Sequence, residues 1–157
     1  MKVLVQRVCR AAVRVEGETV GSIATGVLVF IGIERGDDEE LARWYARRLA
    51  SFKLFPGPDG RPWTRTVGEE GGDALVVSQF TLAARTRKGR RPSFDPAAEP
   101  ERAEALYETF MRELAGQGVG VVSGRFGARM TIELVADGPV TFLLDGPASE
   151  RDGAAGS

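Results

Sequence analysis

Two short runs in this sequence are apolar without interruption: Ala74-Leu75-Val76-Val77, and Gly26 to Ile33, whose side chains are Val, Leu, Val, Phe and Ile around Gly32. Both are rich in β-branched residues; Gly71-Gly72 precedes the first, and Gly26 and Gly36 bracket the second. Such runs fit strands covered on both faces, not strands with one wet side. A chain that must bury two strands on both faces needs further strands beside them and helices against them. That requirement limits the fold more than any other feature.

The first run changes character at its end, where Ser78, Gln79, Phe80, Thr81 and Leu82 follow Val77. Three neutral hydrogen-bonding side chains at the end of a buried strand need partners, because an unpaired buried polar group costs roughly 1–3 kcal/mol. Backbone or water can supply them. A ligand lying across the strand end can do so equally. Local pattern alone slightly favours the first reading.

The remaining strands and helices follow in order. Val3 to Val8 reads as a strand, and Ala12 to Val15 follows, leading to a turn at Glu16-Gly17-Glu18. Thr19 to Ile23 returns, completing a hairpin. Asp37-Asp38-Glu39-Glu40 opens a helix, since Asp caps well and acids suit the first turn. Leu41, Trp44, Tyr45, Leu49 and Phe52 give that helix one apolar face; Arg43, Arg47 and Arg48 lie mostly on the other, solvated one. Residues 55–62 are a turn cluster, Trp63 to Val67 a short edge strand, and residues 68–72 a loop. Glu99-Pro100-Glu101 starts a second helix, with Leu106, Tyr107, Phe110 and Leu114 on its buried face and glycines at its end. Val119 to Ser123, Met130 to Val135 and Val140 to Leu144 complete the strands. The fold class is mixed α/β: a mostly antiparallel, barrel-like sheet with two main helices packed on one side. Residues 1–145 form a single domain, and the Gly-, Ala- and Ser-rich stretch 146–157 is expected to be disordered.

Composition narrows the chemistry. A chain of 157 residues with 43% hydrophobic and 27% charged residues can bury about 70% of its unfolded surface in one core. No apolar run approaches a membrane span, and the charged start, Met1 to Arg7, is not a secretory signal. One cysteine, Cys9, permits no intrachain disulfide, as expected of a cytoplasmic protein. The chain has no histidine. That removes Ser-His-Asp and Cys-His catalysis, the usual zinc cages and the common base near neutral pH. Asp37 to Glu40 is explained by helix capping, so no metal and no cofactor are expected. Ser78 and Thr81 lack an activating base; nothing in the sequence brings Lys53 or Lys88 to them. Binding, or backbone-amide stabilisation of an oxyanion, suits this stretch better.

Two further stretches bear on function. Arg85-Thr86-Arg87-Lys88-Gly89-Arg90-Arg91 is the one strongly basic segment, although the net charge is only −1. It suits a phosphate backbone and equally a solvated loop. Gly138-Pro139, between two apolar strands, reads on spacing alone as a hairpin turn. An X-Pro bond can also be cis, which would present its carbonyls as a rigid recognition element.

Taken together, Gln6-Arg7-Val8, Val15-Glu16-Gly17, Ser78-Gln79-Phe80-Thr81-Leu82, Arg91-Pro92-Ser93-Phe94, Gly124-Arg125-Phe126 and Asp137-Gly138-Pro139-Val140-Thr141, in this order and spacing, closely resemble the D-aminoacyl-tRNA deacylase family. The resemblance spans nearly the whole chain. It implies a deacylase-like fold and a homodimer that hydrolyses the ester joining a D-amino acid, or glycine, to the terminal ribose of tRNA, in a pocket shared between subunits. It implies that Ser78, Gln79, Phe80 and Thr81 come from one subunit, with Phe80 and Thr81 at the reacting centre. Gly138-Pro139, in cis, would enter from the other subunit and exclude L side chains. Arg7 would brace that dipeptide, and Phe126 with Met130 would line the adenosine side. The substrate's own ribose hydroxyl would replace the missing histidine. Ala136 stands where the family usually has Asn, and residues 63–67 lack its usual Asn residues. Two alternatives remain: a non-catalytic RNA-binding module using loop 85–91, and a small-molecule esterase, which the missing histidine disfavours.

Overall fold

The computed structural model describes residues 1–147. Ten residues of the expected disordered stretch, 148–157, therefore lie outside the described part. Strand β1 (Lys2–Val15) is the spine of the sheet. Along one edge it pairs antiparallel first with β3 (Gly26–Gly32) and then with β2 (Glu18–Ile23); along the other it pairs antiparallel with β6 (Thr131–Leu143). Strand β4 (Asp73–Ser78) adds parallel to β3, and β5 (Gly120–Ser123) adds parallel to β4. The sheet order is β2-β1-β3-β4-β5, with β6 also on β1. The result is a nearly closed, barrel-like sheet in a mixed α/β domain.

Helices α1 (Glu39–Ser51) and α3 (Pro100–Gly116) cover one side. Asp38 caps α1 by accepting from the Leu41 amide at 2.8 Å. Pro100 opens α3 at the position where its missing amide costs nothing. Two ion pairs tie the helices together: Arg47 to Glu113 and Arg102 to Glu39, each at 2.8 Å. The Arg102 guanidinium holds the Glu39 carboxyl below its ordinary range, and Arg47 does the same to Glu113. Between helices and sheet lies the main core, with Leu49, Leu54, Phe55, Leu106, Phe110 and Leu114 buried against Val3, Val27, Val29 and Val76. Leu28, Leu75, Val77, Val8 and Val13 form a second cluster on the other face of the sheet. Strands β3 and β4 are thus covered on both faces, as their uninterrupted apolar runs require.

Four local expectations need correction. Val3–Val8 and Ala12–Val15 are one 14-residue strand, because β6 continues alongside the exposed Cys9 and Arg10. The supposed edge strand Trp63–Val67 retains strand-like pairing only as a bridge between Phe55 and Arg65. Val67 instead opens a short helix, α2 (Val67–Glu70), inside the expected loop. Thr66 and Glu69 form a reciprocal capping box that starts it, and Gly71 ends it at φ 73°. The polar strand end becomes a 3-10 turn over Phe80–Ala83. Last, Gly138-Pro139 is no hairpin turn: β6 passes through it as one strand of 13 residues.

Candidate active site

Strand β4 delivers Ser78 to the rim of the sheet, where Gln79 ends the pairing by donating its amide to the Ile31 carbonyl at 2.7 Å. The chain then bends into the 3-10 turn, whose closing bonds run from the Leu82 amide to the Gln79 carbonyl (3.1 Å) and from the Ala84 amide to the Thr81 carbonyl (3.1 Å). A turn of this kind leaves its first amides without intrahelical acceptors. Among the described residues, the amides of Phe80 and Thr81 have no acceptor. They therefore stand available at the strand end.

Beside them lies a pocket of about 490 Å³. Ser78, Gln79 and Phe80 form one wall. Phe126 and Met130 form another, and Ala98 and Pro100, at the entry to α3, close a third. The lining is mostly apolar with a few polar groups at one end, which is the usual build of a small-molecule site. Phe126 is supported from behind by Tyr107, at a ring separation of 5.9 Å. Tyr107 is buried and donates its hydroxyl to the Val76 carbonyl at 2.7 Å; burial pushes its pKa up to about 12. A neutral, hydrogen-bonded phenol thus fixes the back of the pocket to β4. Phe80 is itself exposed, with Phe94 packed on it at 5.0 Å.

Five of the residues expected at a site therefore come together: Ser78, Gln79, Phe80, Phe126 and Met130. Thr81 lies just outside. Its side chain is exposed, and Gln79 donates its side-chain amide to the Thr81 hydroxyl. Ser78 and Gln79 are half-buried and Thr81 is exposed, so the expectation of buried polar groups seeking partners is met only in part, at the first two. The wall contributed by Ala97, Ala98, Pro100 and Ala103 carried no sequence signal, since small apolar residues before a helix look like any helix entry.

Arg7, Gly138 and Pro139 sit together elsewhere. In the β1–β6 ladder, Gln6 pairs with Thr141 and Val8 with Ala136. Between those pairs β1 has only Arg7, while β6 has residues 137–140. The surplus is extruded from the sheet as a bulge. The Gly138-Pro139 bond at its centre is cis, and Gly138 adopts φ 147°, where a Cβ would run into the Val140 amide. Arg7 holds the base of the bulge. Its Nε donates to the Asp137 carbonyl and faces the Asp137 carboxylate, both at 3.1 Å, while Nη1 donates to the Leu54 carbonyl at 2.7 Å. The Phe55 ring lies 5.8 Å below the guanidinium. Neither Gly138 nor Pro139 lines the pocket of its own chain.

Among the described residues, no helix is long and apolar enough to cross a membrane. Asp37, one of the clustered acids, accepts from the Met1 amino group at 2.8 Å and from the Glu34 amide at 2.7 Å.

An apolar cleft at the end of a parallel strand, beside two amides without acceptors and in a chain lacking histidine, suits a binding or ester-cleaving α/β protein rather than a triad enzyme. Comparison with known proteins narrows the class. The D-Tyr-tRNA(Tyr) deacylase family profile matches residues 4–145. The D-aminoacyl-tRNA deacylase of Pelobacter propionicus is 49% identical over 145 residues, covering 92% of this chain and 99% of that protein. The protein of the same name from Roseiflexus sp. is 52% identical over 145 residues, covering 92% and 93%, and that of Escherichia coli O81 is 49% identical over 144 residues, covering 92% and 99%. Among solved structures, the c-Myc DNA Unwinding Element Binding Protein superposes with a TM-score of 0.88 at 36% identity, covering 94% of this chain and all of the other. A probable eukaryotic D-amino acid tRNA deacylase shares the fold, with a TM-score of 0.77 at 22% identity over 91% and 97% of the two chains. The chain belongs to the D-aminoacyl-tRNA deacylase family and is a hydrolase of that class.

Proposed function

We propose that this protein hydrolyses the ester between a D-amino acid, or glycine, and the terminal ribose of tRNA, releasing the free amino acid and tRNA. The observation that carries the reading is the pairing of an apolar pocket with unpartnered Phe80 and Thr81 amides, in a family member without histidine. Water attacks the ester carbonyl, and the developing oxyanion is held by those amides. The bond to the ribose oxygen breaks, and that oxygen takes up a proton. The neighbouring ribose hydroxyl activates the water or relays the proton. Thr81 is a contact residue, not a covalent nucleophile. Adenosine lies against Phe126 and Met130, with Ser78 and Gln79 contacting the reacting end.

Gly138-Pro139 supplies chiral selection by offering backbone carbonyls to the amino-acid moiety and leaving no room for an L side chain. It does so from a second copy of the chain. Five residues of β6 lie between the pocket residue Ile132 and Gly138, six steps that make about 20 Å of extended strand. The bulge of one protomer is therefore remote from its own pocket. Leu134 and Val135, adjacent on β6 and so directed to opposite faces, are both exposed, and so is Leu143. An uncovered apolar strand of this kind supports association into a homodimer. A tRNA substrate puts the enzyme in the cytoplasm.

The test is incubation of the protein with D-tyrosyl-tRNA and L-tyrosyl-tRNA. Release of the D but not the L amino acid is expected. Tight binding of both without hydrolysis would instead indicate a non-catalytic RNA-binding module.

A further inference from the structure

The two exposed rings at the pocket mouth are not explained by catalysis. Phe80 is 57% exposed and Phe94 39%, their centroids lie 5.0 Å apart at 59°, and neither belongs to a core cluster. The chain between them is stapled at its base: the Arg85 amide donates to the Ser93 carbonyl at 2.8 Å and the Ser93 amide to the Arg85 carbonyl at 3.0 Å. The excursion so closed carries Arg85, Arg87, Lys88, Arg90 and Arg91 without one acid among them. All five are exposed, and none forms an ion pair with another described residue. The rest of the chain is overall acidic, since the whole carries a net charge of −1.

We infer that the Phe80–Phe94 pair and the basic excursion 85–91 form a docking edge for the single-stranded nucleotides that precede the terminal adenosine of the substrate. The inference rests on the tRNA reading above and extends it from the reacting nucleoside to its neighbours. Exposed aromatic faces beside a cationic track are the two elements of sequence-tolerant single-strand binding: bases stack on the rings and phosphates meet the cations. Phe80 lines the pocket and Phe94 lies outside it, so the pair continues the nucleotide path outward. The Phe94 ring acts as a stacking surface, while the Phe80 backbone keeps its place at the reacting centre.

The experiment compares D-tyrosyl-tRNA with D-tyrosyl-adenosine, which ends at one nucleoside. If the wild-type protein hydrolyses neither, the proposed function fails, and the docking edge, which rests on it, fails too. If it hydrolyses both, Phe94→Ala is expected to lower kcat/KM on the tRNA substrate about tenfold through KM, the modest end of a base–aromatic stack. The ratio of the two substrates' kcat/KM falls with it, and Phe94→Trp, which keeps a ring, restores it. The Arg87→Ala/Arg90→Ala protein should flatten the dependence of log KM on log salt by about 1.4, the share of two phosphate contacts on a single strand. Arg43→Ala, on the exposed side of α1, keeps the wild-type slope. Equal losses on both substrates, an unchanged slope in the double variant, or a Phe94→Trp protein as impaired as Phe94→Ala would each overturn the inference. So would a Phe94→Ala protein whose only defect is a lower mass in solution, because the rings would then be covered by a second copy of this chain.

Discussion

The end of β4 and the middle of β6 are the two stretches on which the proposed function rests, and they are built on opposite principles. Strand β4 is buried on both faces, flanked by parallel neighbours and backed by two helices. Its polar end is held where the fold puts it, and the apolar pocket beside it is lined by residues of the same chain. Strand β6 has one neighbour among the described strands, mostly exposed residues and a bulge over residues 137–140 that does not line the pocket. The first region is positioned by burial. The second is positioned by one side chain, Arg7, which ties the bulge to β1 and to the Leu54 carbonyl. An interior element can hold catalytic groups without dedicated supports, whereas a displayed element needs a brace.

Substitutions in the two regions should therefore fail in different ways. The largest effect is expected from filling the pocket. Ala128 lines it from a loop, and Ala128→Trp should lower kcat/KM on D-tyrosyl-tRNA by about a hundredfold or more with little change in thermal stability, because the substrate loses its reactive placement. A protein with near-normal turnover would show that the reaction occurs elsewhere.

Next comes the brace. Arg7→Met keeps the apolar contact with Phe55 but leaves the Asp137 and Leu54 carbonyls without their charged donor. A loss of about 2 kcal/mol is expected, seen as a fall in Tm of about 4–8 °C. Discrimination against L-tyrosyl-tRNA should weaken with it. An Arg7→Met protein with wild-type stability and selectivity would mean that the bulge supports itself.

Tyr107→Phe removes the hydroxyl that ties the pocket wall to Val76 and should cost about 1 kcal/mol. The folded-state pKa is raised, so this contribution is fully present below the unfolded value of about 10 and disappears as pH rises toward about 12. Unfolding midpoints of wild type and variant should accordingly converge between those limits. The smallest effect is expected at Thr81. Thr81→Val should retain activity within about tenfold, as befits a contact and not a nucleophile. Complete inactivity together with an acyl-enzyme trapped on the wild type would reverse that assignment.

The contrast also accounts for what the sequence could reveal. Burial on two faces writes itself as an uninterrupted apolar run, so β3 and β4 were readable, and helical periodicity with capping acids made α1 and α3 readable as well. The break from apolar to polar after Val77 raises a ligand as one reading, but local pattern alone slightly favours backbone or water as the partners. In the sequence β6 looks like two strands about a turn because Asp137-Gly138-Pro139 has turn composition; the pairing that carries the strand through lies in β1, far away in the sequence. Helix α2 has no periodic signature although Thr66 and Glu69 have capping-box spacing, since four residues are too few to show one. The small residues of the pocket's third wall had no signature at all. The resemblance to a known family, by contrast, depended on the order of short motifs and supplied what local physics left open.

The central claim is that the pocket of one protomer is completed by the Gly138-Pro139 bulge of another, and subunit mixing tests it most directly. Ala128→Trp blocks the pocket; Gly138→Ala disturbs the bulge, because its Cβ would collide with the Val140 amide. Each protein alone should be nearly inactive on D-tyrosyl-tRNA. Unfolded together and refolded at equal amounts, they should recover about a quarter of wild-type activity, because half the dimers are mixed and each mixed dimer regains one intact site of two. A mixture no more active than its parents, with mixed dimers demonstrably formed, would contradict the claim and return both halves of the site to a single chain.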